Sequence, residues 1–207
     1  MTSSKNSTYG TQDVKTSIAN SFVKILSENG YSKRLLDMVA IEASIAKEEI
    51  ILLFNDGERE IIEFYFDTLL QNVANIYKEQ EPDGLSGKIK SILNLYFAEL
   101  SLHDGFAKRL SFMLLRPNFL PLAAKLDCKI VDFCWKLAGD ASVGVDFYTK
   151  RASLLAIFNA CKAVYAAKGF DGSDISVAVS KIIDTHIKGV SIVKNFASKV
   201  MPSKIYH

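Results

Sequence analysis

From Val14 to the C-terminal lysines, apolar residues return every three or four positions and nowhere settle into alternation, so the chain has few options other than packed helices. Val14, Ile18, Phe22, Ile25 and Leu26 open the pattern, which stops at Asn29-Gly30, a pair suited to a helix C-terminus. The spacing predicts a first helix over about 12–28, shorter ones over 33–43 and 47–54, and, past Asn55-Asp56-Gly57, a longer one over 58–79. After Glu81-Pro82-Asp83-Gly84 the pattern resumes over about 86–102, 105–115, 120–138, 146–168 and 173–200. The intervening breaks are His103-Asp104-Gly105, Arg116-Pro117-Asn118, Gly139-Asp140 and Gly169-Phe170-Asp171-Gly172, with Ser173 placed to cap the last helix. The expected fold class is all-α.

A chain of 207 residues that is 49% hydrophobic, with 4 Pro and 11 Gly, can bury a substantial core and is not a low-complexity segment. Cys128, Cys134 and Cys161 have no CxxC spacing and fall within helical patterns, which reads as buried free thiols in a reducing compartment. The polar N-terminus lacks the hydrophobic region of a secretory signal, and residues 1–11 are expected to form a disordered tail. Uncharged runs stop at ten residues, well short of the ~20 apolar residues of a spanning helix, so membrane contact would be peripheral.

Charge is unevenly placed. Residues 33–63 carry four bases and eight acids, whereas 181–207 carry five lysines against the single acid Asp184. In the predicted last helix Val190, Val193, Phe196, Val200 and Met201 share one face while Lys188, Lys194 and Lys199 share the other. Residues 188–207 therefore read as an amphipathic basic helix and tail, with Val190, Val193, Phe196, Val200, Met201, Lys194 and Lys199 as candidate membrane-binding residues. A last core helix or a dimer face would carry the same pattern.

Catalysis finds no support. His103, His186 and His207 lack metal-ligand spacing, no HExxH, GxSxG or phosphate loop occurs, and Asp140 and Asp146 read as capping groups beside a turn. No catalytic residue, metal or cofactor is expected.

The most specific stretch is Trp135–Ala152, WKLAGDASVGVDFYTKRA, which joins two helical patterns through a turn more particular than packing requires. Together with Arg116-Pro117-Asn118, Pro121-Leu122-Ala123, Asp132 and Tyr148-Thr149-Lys150-Arg151-Ala152, it resembles the Coq nine family of ubiquinone-biosynthesis accessory proteins, a lipid-binding offshoot of the TetR-like helical fold. The resemblance covers roughly residues 18–187, and Gly30-Tyr31-Ser32 and Leu53-Phe54-Asn55-Asp56-Gly57 suit that family's head. The chain departs from the pattern at Gly144, at Asp146 and at Phe147, where the family more often has Trp.

The resemblance implies a TetR-like three-helix head over 12–57, a lipid-binding body over 58–187 and a C-terminal membrane helix. It implies an accessory protein, not an enzyme, that binds an isoprenoid quinone precursor at the membrane and presents it to a di-iron or other quinone hydroxylase. A homodimer is expected, placed peripherally on the cytoplasmic membrane face in a bacterium or on the mitochondrial matrix side in a eukaryote. The candidate lipid-binding residues are Phe97, Phe112, Leu115, Val131, Leu155 and Phe158, and the candidate partner-binding residues Phe147, Tyr148, Lys150 and Arg151. Trp135 reads best as core, Phe147 and Tyr148 as either an aromatic wedge in the corner or an exposed anchor, and Lys150-Arg151 as either cations that cap and solvate a helix start or part of a docking patch. The alternative function is a TetR-like ligand-responsive regulator. Against it, the would-be recognition helix carries Glu48 and Glu49 beside the lone Lys47, which would repel DNA phosphates, so no nucleic-acid partner is expected.

Overall fold

The computed structural model describes residues 4–80, 82, 84–103, 105–169 and 175–186, and among these every regular element is helical. The helices are α1 (Ser4–Asn29), α2 (Leu35–Ala43), α3 (Lys47–Leu53), α4 (Glu58–Tyr77), α5 (Gly84–Leu100), α6 (Phe106–Leu114), α7 (Leu120–Leu137) and α8 (Val145–Ala167), followed by α9 over 175–186. Their ends lie close to the breaks read from the sequence. α1 terminates where Gly30 takes φ +71 and returns its N–H to the Leu26 carbonyl at 2.9 Å, a geometry that any Cβ would strain. Between α2 and α3, Ser44 adopts the left-handed region at φ 54, tight enough to pack the two short helices together.

The expected disordered tail over 1–11 is corrected in its described part, because α1 begins at Ser4. Once Ile18, Phe22 and Leu26 anchor the helix, each added N-terminal residue costs no new nucleation and gains a hydrogen bond. No proline interrupts the extension.

α1 packs on α2, α4 and α6; α4 packs on α5 and α7; α7 packs on α8. One continuous apolar core results, running from Phe22, Leu35, Ile50 and Phe54 at the head to Phe97, Phe106 and Phe158 in the body. Full burial of one such side chain stabilises by about 1.5–3 kcal/mol. Among the described residues no polar or charged residue is buried outright. None of the described helices is long and apolar enough to cross a membrane.

Cys134 and Cys161 are buried, as expected, and burial raises their thiols to about 12 and about 11. Cys128 departs from expectation and is exposed. The inward face of α7 is set by Leu122, Leu126, Ile130, Val131 and Cys134, which leaves Cys128 on the outer side.

Candidate functional site

The segment between α7 and α8 is built by side chains converging from both helices. α7 closes with Gly139 at φ +84 and the Asp140 N–H bonded to the Trp135 carbonyl at 2.9 Å. This turn brings Asp140 under the first turns of α8. Its carboxylate accepts from Lys150 Nζ at 2.7 Å and from Ser142 Oγ at 2.5 Å, with Arg151 Nη1 at 3.5 Å. Arg151 also donates twice to Asp132 Oδ1, from Nε at 2.9 Å and Nη2 at 2.7 Å, while its guanidinium lies 3.4 Å from the Phe147 ring centroid. Trp135 is buried, and its indole N–H donates to the Lys150 carbonyl at 3.1 Å.

Electrostatics follow from this geometry. Hydrogen bonds from Lys150 and Ser142 hold the Asp140 carboxyl down at about 2. Burial pushes Asp132 upward, but hydrogen bonds from Lys136 and Arg151 outweigh it and leave its pKa lowered. Asp140 is thus a hub joining two helices rather than the cap read from the sequence. α8 instead follows Gly144 with no side-chain cap, and Asp146 occupies its first turn.

Of the four residues expected to bind a partner, Lys150 and Arg151 turn inward to these carboxylates, and Phe147 is half-buried under Arg151. Tyr148 points outward, 71% exposed, beside the similarly exposed Val143 and Val145. Sequence reading missed the two valines. Their signal was a pair of large apolar residues in a turn, where polar ones are the rule.

The second feature is an apolar cavity of about 410 Å³ among α4, α5, α6, α7 and α8. Phe66, Tyr96, Phe97, Leu100, Leu110, Leu126 and Ile130 are buried residues in its wall, while Leu115, Leu120, Ala163 and Ala166 are exposed and mark its mouth. Polar groups are few: Ser111, Asn159, the Tyr96 and Tyr165 hydroxyls, and the ion pair of Lys162 Nζ with Asp127 Oδ2 at 2.5 Å. Ser101 Oγ donates to the Phe97 carbonyl at 2.6 Å and stands 2.8 Å from the Tyr165 hydroxyl, which then serves as donor. Burial raises the Tyr96 phenol well above its ordinary value, so this hydroxyl stays protonated.

Among the expected lipid-binding residues, the structure brings Phe97 and Leu115 to this cavity. It does not bring the others. Val131 and Phe158 are packed in the core, Leu155 is half-buried outside the lining, and Phe112 faces solvent. Helical period showed which residues share a face but not which face meets the cavity. Two further cavities, of about 440 and 500 Å³, have charged linings: His103, Lys108 and Arg109 in one, Asp67, Lys129, Asp132 and Lys136 in the other. The candidate membrane residues Val190, Val193, Lys194, Phe196, Lys199, Val200 and Met201, and the capping Ser173, lie outside the described residues.

Residues 120–190, which contain this corner and much of the cavity wall, match the sequence model of the COQ9 family. The segment that holds this corner is thus similar to the COQ9 family. The ubiquinone biosynthesis protein COQ9, mitochondrial, of Xenopus tropicalis is 44% identical over 121 residues, amounting to 54% of this chain and 38% of that protein. COQ9-A of Xenopus laevis, described in the same words, is 32% identical over 121 residues with the same shares. COQ9-B of Xenopus laevis is 44% identical over 52 residues, 25% of this chain and 18% of that protein. The chain therefore spans less than two fifths of the length of the COQ9 relatives it matches.

Proposed function

We propose that this chain is a non-enzymatic, lipid-binding accessory protein of ubiquinone biosynthesis, which holds an isoprenoid quinone precursor in the cavity among α4–α8 and presents it to a quinone hydroxylase. The observation that carries the reading is the cavity itself. Its walls are almost wholly apolar, its volume lies within the ~300–1,000 Å³ typical of small-molecule sites, and its polar groups are few, the Asp127–Lys162 ion pair among them. At roughly 30 Å³ per heavy atom, the share a water takes in the liquid, the space holds on the order of a dozen atoms, so a long prenyl chain would leave much of its length outside. Tyr148, Val143 and Val145 would form the anchor for the hydroxylase, with Lys150 and Arg151 positioning the corner rather than touching the partner.

The COQ9 relatives are described as mitochondrial, which supports a mitochondrial placement; a peripheral position on the matrix side, with the basic tail over 188–207 as membrane contact, belongs to the same proposal. The head supports a TetR-like arrangement without nucleic-acid binding. Lys47, the lone base of α3, is taken by Asp37 at 2.6 Å, and Glu48 and Glu49 stand in its first turn. Homodimerisation belongs to the same proposal.

Native mass spectrometry of gently purified protein tests the reading. Wild-type protein should carry a prenylated aromatic or quinone lipid, and Ala163→Phe, which places a ring at the cavity mouth, should lose it with little change in thermal stability. Recovery of wild-type protein without lipid, or with the same lipid in both forms, would overturn the cavity assignment.

A further inference from the structure

Phe112 and Leu115 stand three positions apart where α6 ends, so they lie on one side of it, and both are open to solvent, at 59% and 69%. Leu120, at the start of α7, is 49% exposed and shares the cavity mouth with Leu115. The inward side of α6 is occupied by Phe106, Ala107, Leu110 and Met113, so these three apolar side chains are not needed by the core. A monomer surface rarely gathers large apolar groups around a cavity opening without a partner.

Along the corner's own stretch of chain the charge is of one sign. From Gly105 to Leu126 the chain has four bases, Lys108, Arg109, Arg116 and Lys125, and no acid. Lys125 is paired with Glu63 at 2.6 Å. Lys108, Arg109 and Arg116 make no ion pair with a described residue, and all three are exposed. Arg116 instead stacks 4.5 Å from the Tyr31 ring, and Arg59 donates to the Asn118 carbonyl at 2.8 Å, which fixes the α6–α7 turn against Tyr31 and the start of α4.

We propose that the α6–α7 corner is a second membrane-contacting face, independent of the C-terminal tail, which inserts Phe112, Leu115 and Leu120 into an anionic bilayer and sets Lys108, Arg109 and Arg116 at the headgroup phosphates. The assignment of the mouth's role rests on the lipid-cavity reading: the cavity takes only the first part of a long prenyl chain, and a mouth pressed into the bilayer lets the remainder stay among acyl tails. The corner's insertion itself rests only on the exposed apolar groups and the acid-free basic run.

The test uses the full chain with a Phe112→Trp substitution and vesicles of phosphatidylcholine with or without phosphatidylglycerol, the acyl chains brominated in a parallel set. On anionic vesicles the new tryptophan should shift its emission to the blue and be quenched by bromine, while Trp135 of wild-type protein, buried in the corner of α7 and α8, should be little affected. Replacing Lys108 and Arg109 by Gln should weaken vesicle binding roughly fivefold for each cation removed. Flotation with anionic vesicles without quenching at position 112 would overturn the proposal and leave attachment to another part of the chain. A change of solution mass in Leu115→Ser/Leu120→Ser with unchanged vesicle binding would also overturn it, assigning the corner to a second copy of the chain. Quenching at position 112 in Phe112→Trp/Ala163→Phe separates the two readings: insertion without bound lipid supports the corner on its own, and quenching at position 112 in a Phe112→Trp protein that never carries lipid upholds the corner while removing the cavity assignment.

Discussion

Replacing Arg151 by Ala should cost stability, whereas replacing its neighbour in the same turn, Tyr148, should not. Arg151 is only 16% exposed and makes two charge-assisted hydrogen bonds to Asp132 at 2.9 and 2.7 Å. Hydrogen bonds to charged groups contribute about 1.5–3 kcal/mol, and the lower part of that range applies because Asp132 remains about a third exposed and keeps Lys136 at 2.6 Å after the loss. Contact of the guanidinium with the Phe147 ring adds about 0.5–1 kcal/mol. The sum is about 2–3 kcal/mol, equivalent to a fall in Tm of roughly 4–12 °C for a chain of this size. Tyr148, largely exposed, should change stability by less than about 0.5 kcal/mol when truncated. Urea unfolding followed by circular dichroism measures both, and capture of a quinone hydroxylase by the folded variants tests the anchor role proposed for Tyr148: on that proposal Tyr148→Ala should lose capture, and Arg151→Lys should retain part of it. An Arg151→Ala protein as stable as wild type would refute the claim that this side chain joins the two helices.

Acid should loosen the same corner. Because the folded pKa of Asp140 is about 2, below its ordinary 3.8, its contribution is complete above about pH 4 and disappears as pH falls towards 2. The difference in Tm between wild type and Asp140→Asn should accordingly be present at pH 6 and shrink towards pH 2, and a difference constant across that range would contradict the linkage. Thiol labelling tests the burial pattern: among the three cysteines, Cys128 should react rapidly with maleimide in the native protein, while Cys134 and Cys161, buried and with raised pKa, should react only after denaturation. Rapid native labelling of all three would show that α7 and α8 open readily.

The sequence by itself determined the elements and their punctuation. Periods of three and four, broken by Gly30, Gly57, Pro82, Pro117 and Gly139, suffice to delimit the helices, because a helix is a local structure whose ends are decided by residues within one turn. Burial of Trp135 was legible for a related reason, since a lone indole on an apolar helical face finds a place in the core more readily than at the surface. The extent of α1 was not legible, because polar residues without a breaker are compatible with either helix or coil until a packed helix lies beside them.

Tertiary structure alone decided what the exposed and charged groups do. Lys150 and Arg151 look like a docking patch in the sequence, yet Asp140 and Asp132, ten and nineteen residues earlier, neutralise them once α7 and α8 are folded together. Phe97 and Phe112 both sit on apolar stretches, but the packing of α5 against α4 and α7 turns the first into the cavity wall, and the packing of α6 on α1 leaves the second in solvent. A helical repeat specifies which side chains point the same way. Whether they meet a core, a cavity or water depends on contacts between segments far apart in the chain, and those exist only after the helices have packed.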